Sequence, residues 1–322
     1  MNQSDSGLNW KAGLALSLFT AILWGFLPVI VKGAVVDFDP FTATWFRFAG
    51  ASALFGLWLA HRCPEALVPQ ISKASALTLL LAVLGMSGNF SLYALSLKYQ
   101  SPTVTQTVMQ LGPPIIFIGG AVLFKERIGW LQWLGLAALL PGLALFFNTR
   151  LEEIFSSFGG QSLGIVFTAM SACSFATYSL SQKSLMRSLR PESVLFIALL
   201  CGTFILLPFT DITELARASA TGIVLLVLAI FNTILAFVCF GEALRVWTAS
   251  RVGAIVALPP LICVVATHFV SMAIPGYVQP EGLNTLSILG AALVVCGCMM
   301  GALGRGKAPT KEDDDAEMAP ME

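Results

Sequence analysis

Residues 110–117 read "QLGPPIIF", and residues 257–263 read "ALPPLIC". In each, two adjacent prolines stand inside a long apolar run. A proline in a helix interior costs about 3 kcal/mol, because it removes a backbone N–H and its ring clashes with the carbonyl four residues back. Two such pairs, 146 residues apart, are either separate anomalies or one feature of a duplicated chain.

The flanking sequence favours duplication, for which fixed-period self-similarity is the signature. At a spacing of 151, Gly13 matches Gly164, Ala21 matches Ala172, Lys32 matches Lys183 and Pro40 matches Pro191. At 155, Glu126 matches Glu281, Leu131 matches Leu286, Leu134 matches Leu289, Gly135 matches Gly290 and Gly142 matches Gly297. The drift in spacing implies insertions, one of them in the longer loop "MAIPGYVQPEG" (272–282).

Composition sets the class. Of 322 residues, 57% are hydrophobic and 11% charged, whereas soluble proteins carry about 25% charged residues. Apolar runs of about 20 residues, the length of a hydrocarbon crossing, recur along the chain. Ten spans are expected, near 11–32, 40–60, 74–97, 103–124, 128–148, 162–183, 192–209, 220–243, 250–272 and 286–303. The expected fold is therefore all-α integral membrane, ten transmembrane helices as two inverted five-helix repeats. The first apolar run ends at Lys32 without a small-residue cleavage pattern, so it reads as a span and not a removed signal.

Basic residues orient the spans. With the N-terminus cytoplasmic, thirteen of the 18 lysines and arginines fall on the inner side. Lys32, Lys98, Arg150 and Arg217 fall outside, and Arg47 lies within span 2. Both termini are then cytoplasmic in a multi-pass inner (plasma) membrane protein. Five spans per half is an odd number, so the second half enters the membrane upside down. Inverted repeats are the build of many secondary transporters, with the substrate at the repeat interface near the midplane. The expected domains are a first repeat over 1–148, an external linker over 149–161, a second repeat over 162–303 and a disordered acidic tail over 304–322.

Polar residues within spans face the bundle or a cavity, since lipid exposure is costly. Ser17, Thr20, Trp24 and Pro28 share one face of span 1, and Thr168, Ser171, Phe175, Tyr178 and Ser181 share one face of span 6. The repeat pairs Ser17 with Thr168, Thr20 with Ser171, and Trp24 with Phe175. Asn89 and Tyr93 in span 3, Gln106 and Gln110 in span 4, and Asn232 in span 8 add amides and a phenol. These residues, with His268 in span 9, are the candidate substrate-binding set; hydrogen-bonded packing is the competing reading. Pro113, Pro114, Pro259 and Pro260 are candidate gating kinks, freeing the carbonyls of Met109, Gln110, Ile255 and Val256. Arg47 is expected to snorkel to the outer interface toward Asp37 or Asp39, with anion binding as the alternative.

No mid-span carboxylate offers a proton relay. The seven cysteines are scattered, and Cys296-x-Cys298 has no second pair, so neither a metal nor a cofactor is expected. No basic stripe suggests nucleic acid. The expected partners are a small-molecule substrate and the lipid bilayer, with the chain a monomer or homodimer. Residues 85–88, "GMSG", match the nucleophile motif of intramembrane serine proteases with His268 as a nominal base, and a non-transporting sensor or structural protein is a third class. Two inverted halves are foreign to that protease layout.

The stretches "AILWGFLPVIVK" (21–32), "DPFTATWFRFAGA" (39–51), "LSLKYQSPTVTQTVMQLGPP" (95–114) and "LFKERIGWLQWLGLAALLPGLAL" (123–145) are echoed by "EALRVWTASRVGAIVALPPL" (242–261) and "LSILGAALVVCG" (286–297). In these the chain resembles the drug/metabolite transporter (DMT) superfamily, EamA type. The resemblance covers nearly the whole chain. It implies a secondary transporter, not an enzyme, with spans 1, 3, 4, 6, 8 and 9 around a central site. It also implies metabolite export or efflux by alternating access. Few charges and many aromatics and amides suit a neutral, zwitterionic or amphipathic metabolite, such as an amino acid or related compound. One departure is that Glu281 stands farther from span 9 than Glu126 does from span 4.

Overall fold

The computed structural model describes residues 3–69, 71–125, 128–146, 148, 160–278 and 284–303. Among these are thirteen α-helices and no strand. The first half contributes α1 (Gln3–Asp37), α2 (Pro40–Arg62), α3 (Lys73–Tyr99), α4 (Pro102–Met109), α5 (Gly112–Phe124) and α6 (Trp130–Phe146). The second contributes α7 (Gly160–Leu185), α8 (Pro191–Leu206), the short α9 (Glu214–Arg217), α10 (Ala220–Val246), α11 (Ala249–Ile255), α12 (Pro259–Ala273) and α13 (Thr285–Leu303). Among the described residues six stretches are long and apolar enough to cross a membrane, and three further apolar helices are shorter. Large apolar side chains such as Phe19, Phe26, Leu57, Phe204 and Phe231 are exposed, as a lipid-facing surface requires. The protein is a multi-pass membrane protein.

Helix starts follow local chemistry. Asp39 caps α2 by accepting from the Phe41 amide at 3.0 Å, and Pro40 occupies the first turn, where its missing N–H has no partner to lose. Its repeat mate Pro191 opens α8 in the same way. Ser72 and Ser219 cap α3 and α10.

The proline doublets stand at local interruptions of the helical backbone. Helix α4 ends at Met109 and α5 begins at Gly112, while α11 ends at Ile255 and α12 begins at Pro259. Each doublet stands in the first turn after its interruption, and the linking Leu111 and Leu258 keep right-handed helical backbone angles. Glu126 and Glu281, most of the linker (149–159) and the tail (304–322) lie outside the described residues.

A two-fold relation between the halves is written in reciprocal contacts. Helix α1 packs on α10 as α7 packs on α3. Ser171 Oγ donates to the Asn89 carbonyl at 2.9 Å, and its mate Thr20 Oγ1 lies 3.4 Å from the Ala236 carbonyl, each acceptor 147 residues from the other. Lys32 Nζ donates to the carbonyls of Leu97 and Gln100 at 2.7 and 3.4 Å, closing the C-terminus of α3. Lys183 Nζ does the same for α10 through the carbonyls of Leu244 and Trp247. A cation there meets the negative end of the helix dipole.

Helices α6 and α13 form a glycine seam. A Cβ on Gly135 would stand 2.6 Å from the Gly297 carbonyl oxygen, and one on Gly142 would stand 3.2 Å from that of Gly290. Gly290 and Gly297 are the repeat mates of Gly135 and Gly142. A crossed pairing of this kind, first with second mate and second with first, is what a two-fold relation imposes.

Candidate functional site: a cavity between the two halves

The cavity lies between the halves and is lined mainly by apolar and aromatic side chains. Trp24 and Leu27 of α1, Arg47 of α2, and Asn89, Phe90 and Tyr93 of α3 line one part. Gln106 and Met109 of α4, Gln110 and Pro113 at the first break, and Val256 and Pro259 at the second line another, completed by Phe175 of α7 and Phe237 of α10. Both helix breaks therefore open onto the same space.

Its aromatic wall is built from repeat mates. Trp24 meets Phe175 edge to face at 5.2 Å between ring centroids, and it also touches Phe237 and Phe240 at 5.4 and 5.1 Å. Phe90 and Phe237, 147 residues apart in sequence, stand 5.3 Å from each other.

The amides are partly committed. Asn89 Nδ2 donates to the Ser171 carbonyl and hydroxyl at 3.1 and 3.0 Å, tying α3 to α7. Gln106 Nε2 donates to the Trp24 carbonyl at 2.9 Å, and Gln110 Nε2 to the Gln106 carbonyl at 3.3 Å. Gln110 Oε1 and the Tyr93 hydroxyl are buried with no hydrogen-bond partner among the described residues.

Arg47 does not snorkel, which overturns the sequence expectation. It is 2% exposed and is the one charged side chain among the buried described residues. Its Nη2 donates to Thr233 Oγ1 at 3.1 Å, and the guanidinium lies over the Phe90 ring, 4.5 Å from the centroid. The acids it was expected to reach have other work. Asp37 accepts from the amide of Ser219 at 3.1 Å and from its hydroxyl, and Asp39 caps α2 and approaches Lys98 at 3.8 Å.

Five candidates fall outside the lining. Tyr178 is fully buried against Phe237, with ring centroids 5.6 Å apart. Asn232 donates to the Leu23 carbonyl at 2.8 Å, a tie between α10 and α1. His268 is exposed on α12, on the side away from the bundle. Pro114 and Pro260 stand one residue past the lining prolines. Sequence reasoning missed Phe90, Phe237, Leu27, Met109 and Val256. The spacing of 147 that relates Phe90 to Phe237 was the available signal for the first two.

Ser87 of "GMSG" is buried with its hydroxyl unpartnered, so no base activates it. Among the described residues no cluster of histidine, cysteine or acidic side chains forms a metal site. After the end of α12, Tyr277 donates to the Val29 carbonyl at 3.0 Å, anchoring the loop that follows α12 to α1. Burial pushes its phenol above the ordinary value.

Comparison with known proteins places this architecture. The pattern of the EamA-like transporter family matches residues 11–148 and 162–301. The uncharacterized inner membrane transporter YhbE of Escherichia coli (strain K12) is 35% identical over 293 residues, covering 91% of each chain. An uncharacterized transporter of Haemophilus influenzae is 29% identical over 301 residues, 93% of this chain and 97% of its own. A solved crystal structure overlays with a TM-score of 0.66 at 20% identity, covering 91% of this chain and 96% of the other, which shows a shared fold. Two matched halves, a duplicated helical fold and a cavity between the halves converge on one conclusion: the chain belongs to the EamA-like transporter family.

Proposed function

We propose that the protein is an inner-membrane secondary transporter with ten spans, in which α4–α5 and α11–α12 are each one broken span. The two halves, 1–148 and 162–303, rock about the central cavity and expose it alternately to the two sides. Both termini are cytoplasmic, and the protein works as a monomer or homodimer. It exports a small neutral, zwitterionic or amphipathic metabolite, an amino acid or a related compound. Trp24, Phe175, Phe90 and Phe237 cradle the apolar body of that solute, and Gln106, Gln110, Asn89 and Tyr93 meet its polar groups.

The observation that carries this reading is that repeat mates from the two halves form the walls of one cavity, and both broken helices end on it. A rotation of one half against the other would then change the site from both sides at once. Broken helices at a midplane site are the device by which transporters present free backbone groups to a solute. The test is counterflow in proteoliposomes loaded with members of a metabolite panel that includes amino acids. Accumulation of at least one solute against the empty-liposome control is expected; no movement of any solute removes the proposal and leaves a sensor or structural role.

A further inference from the structure

We infer that the transported solute carries a single carboxylate, and that Arg47 is its anchor. This rests on the transporter reading for its consequence, but the binding it asserts is separately measurable.

Arg47 brings a full positive charge to the cavity wall. Among the described residues no carboxylate lies within ion-pair distance of it, and its one hydrogen bond is to Thr233. Thr233 spends its own proton on the Ala229 carbonyl at 2.7 Å, so it serves Arg47 as a neutral acceptor only. Arg47 Nε is buried with no partner. The Phe90 face, 4.5 Å away, offers a quadrupole and no countercharge. A buried charge is costly unless paired and hydrogen-bonded, and a guanidinium has five donors in a fork that fits a carboxylate. The polar groups near it are neutral: Asn89, Gln106, Gln110 and Tyr93.

Repeat symmetry sharpens the point. At the spacing of 151 that relates α2 to α8, Arg47 corresponds to Ala198. The charge has no twin, so the lining is cationic at Arg47 alone, while the rest is aromatic, aliphatic or neutral polar. The matching solute has one anionic end and an apolar body. A phosphate monoester, with a charge of about −1.5 to −2, would leave excess negative charge among Phe and Trp rings. One arginine balances one carboxylate.

The experiment is a binding titration of the full chain in detergent, read by tryptophan fluorescence, with four probes of one shape: phenylacetate, phenylacetamide, phenethylamine and phenyl phosphate. Phenylacetate is expected to bind about tenfold or more tighter than the amide, as a charge-assisted pair does, and tighter than the amine or the phosphate. Arg47→Gln is expected to abolish that preference while the amide still binds, which also reports an intact site. Should Arg47→Gln fail to fold, Arg47→Lys serves: a weaker carboxylate preference survives, since the ammonium keeps the charge and lacks the fork. Equal binding of acid and amide, preference for amine or phosphate, or a preference indifferent to Arg47→Gln overturns the inference. Neutral solutes moving in counterflow while carboxylates do not would also overturn it and leave the transporter reading standing. Carboxylate-selective binding with no counterflow of any solute supports the anchor and removes the transporter reading.

Discussion

Trp24 and Phe175 stand 151 positions apart in sequence and meet edge to face at 5.2 Å between centroids. Each is the other's counterpart in the opposite half. An aromatic contact between repeat mates is possible only where the pseudo-two-fold axis passes, so this pair marks the axis at the cavity. Trp24→Ala and Phe175→Ala are therefore each expected to reduce counterflow about tenfold, with Gln110→Ala in the same direction. Initial rates over a range of solute concentrations check this; unchanged kinetics in all three remove the site assignment.

Tyr178 offers the contrast. It was a candidate on the same helix face as Phe175, yet it is packed away from the cavity and its hydroxyl has no hydrogen-bond partner. Tyr178→Phe keeps the ring and deletes an unsatisfied polar atom, a change that is near neutral or stabilising. Transport within twofold of the parent and an unchanged or raised Tm are the expected results.

The glycine seam makes a stability prediction. Gly135→Ala would place a Cβ 2.6 Å from the Gly297 carbonyl oxygen, and Gly297→Ala would place one 2.8 Å from that of Gly135. Backbone is on both sides, so α6 and α13 must move apart, at a cost of about 1–3 kcal/mol. Thermal unfolding in detergent should show a lowered Tm for both variants, and the effect of the pair together should fall short of the sum, because one separation relieves both clashes.

Lys32 and Lys183 carry equivalent loads in opposite halves. Lys32→Met removes the donor to the Leu97 and Gln100 carbonyls, and Lys183→Met removes the donor to those of Leu244 and Trp247. Each is expected to cost about 1–2 kcal/mol from the lost charge-assisted bonds and the lost helix-dipole contact. Similar Tm decreases check the symmetry; a loss in only one half would contradict it.

The helix breaks bear on rate. Pro113→Ala with Pro114→Ala restores the backbone N–H groups that would let α4 and α5 join into one helix, and Pro259→Ala with Pro260→Ala does the same for α11 and α12. If the breaks serve as gates, each double variant slows counterflow several-fold while solute affinity changes less. Equal losses in affinity and rate would make the breaks mere shapers of the cavity.

Much of the fold was readable because membrane insertion imposes strong local rules. The apolar run lengths placed the helices to within a few residues at most ends, and Pro40 with Pro191 marked equivalent helix starts. Lys32 with Lys183 and the glycines of α6 and α13 announced the duplication. The crossed Gly135–Gly297 and Gly142–Gly290 contacts then display the two-fold relation between the halves. The cavity lining was readable where repeat and polarity coincided, at Trp24, Phe175, Asn89, Gln106 and Gln110. Phe90 and Phe237 escaped because an aromatic in an apolar run resembles any lipid-facing or packing residue.

The sequence by itself determined the helices, the duplication and the set of polar residues that had to avoid lipid, since these follow from local hydropathy, proline chemistry and the self-match of one half to the other. Only the tertiary structure decided which of those residues share a space. It sent His268 outward and Tyr178 into packing, and drew Arg47 inward. The reason is physical: whether a charge two turns into a span reaches water or a cavity depends on what surrounds its helix. Here Ser219 and the start of α2 had already taken Asp37 and Asp39, while Thr233 and Phe90 of neighbouring helices received the guanidinium.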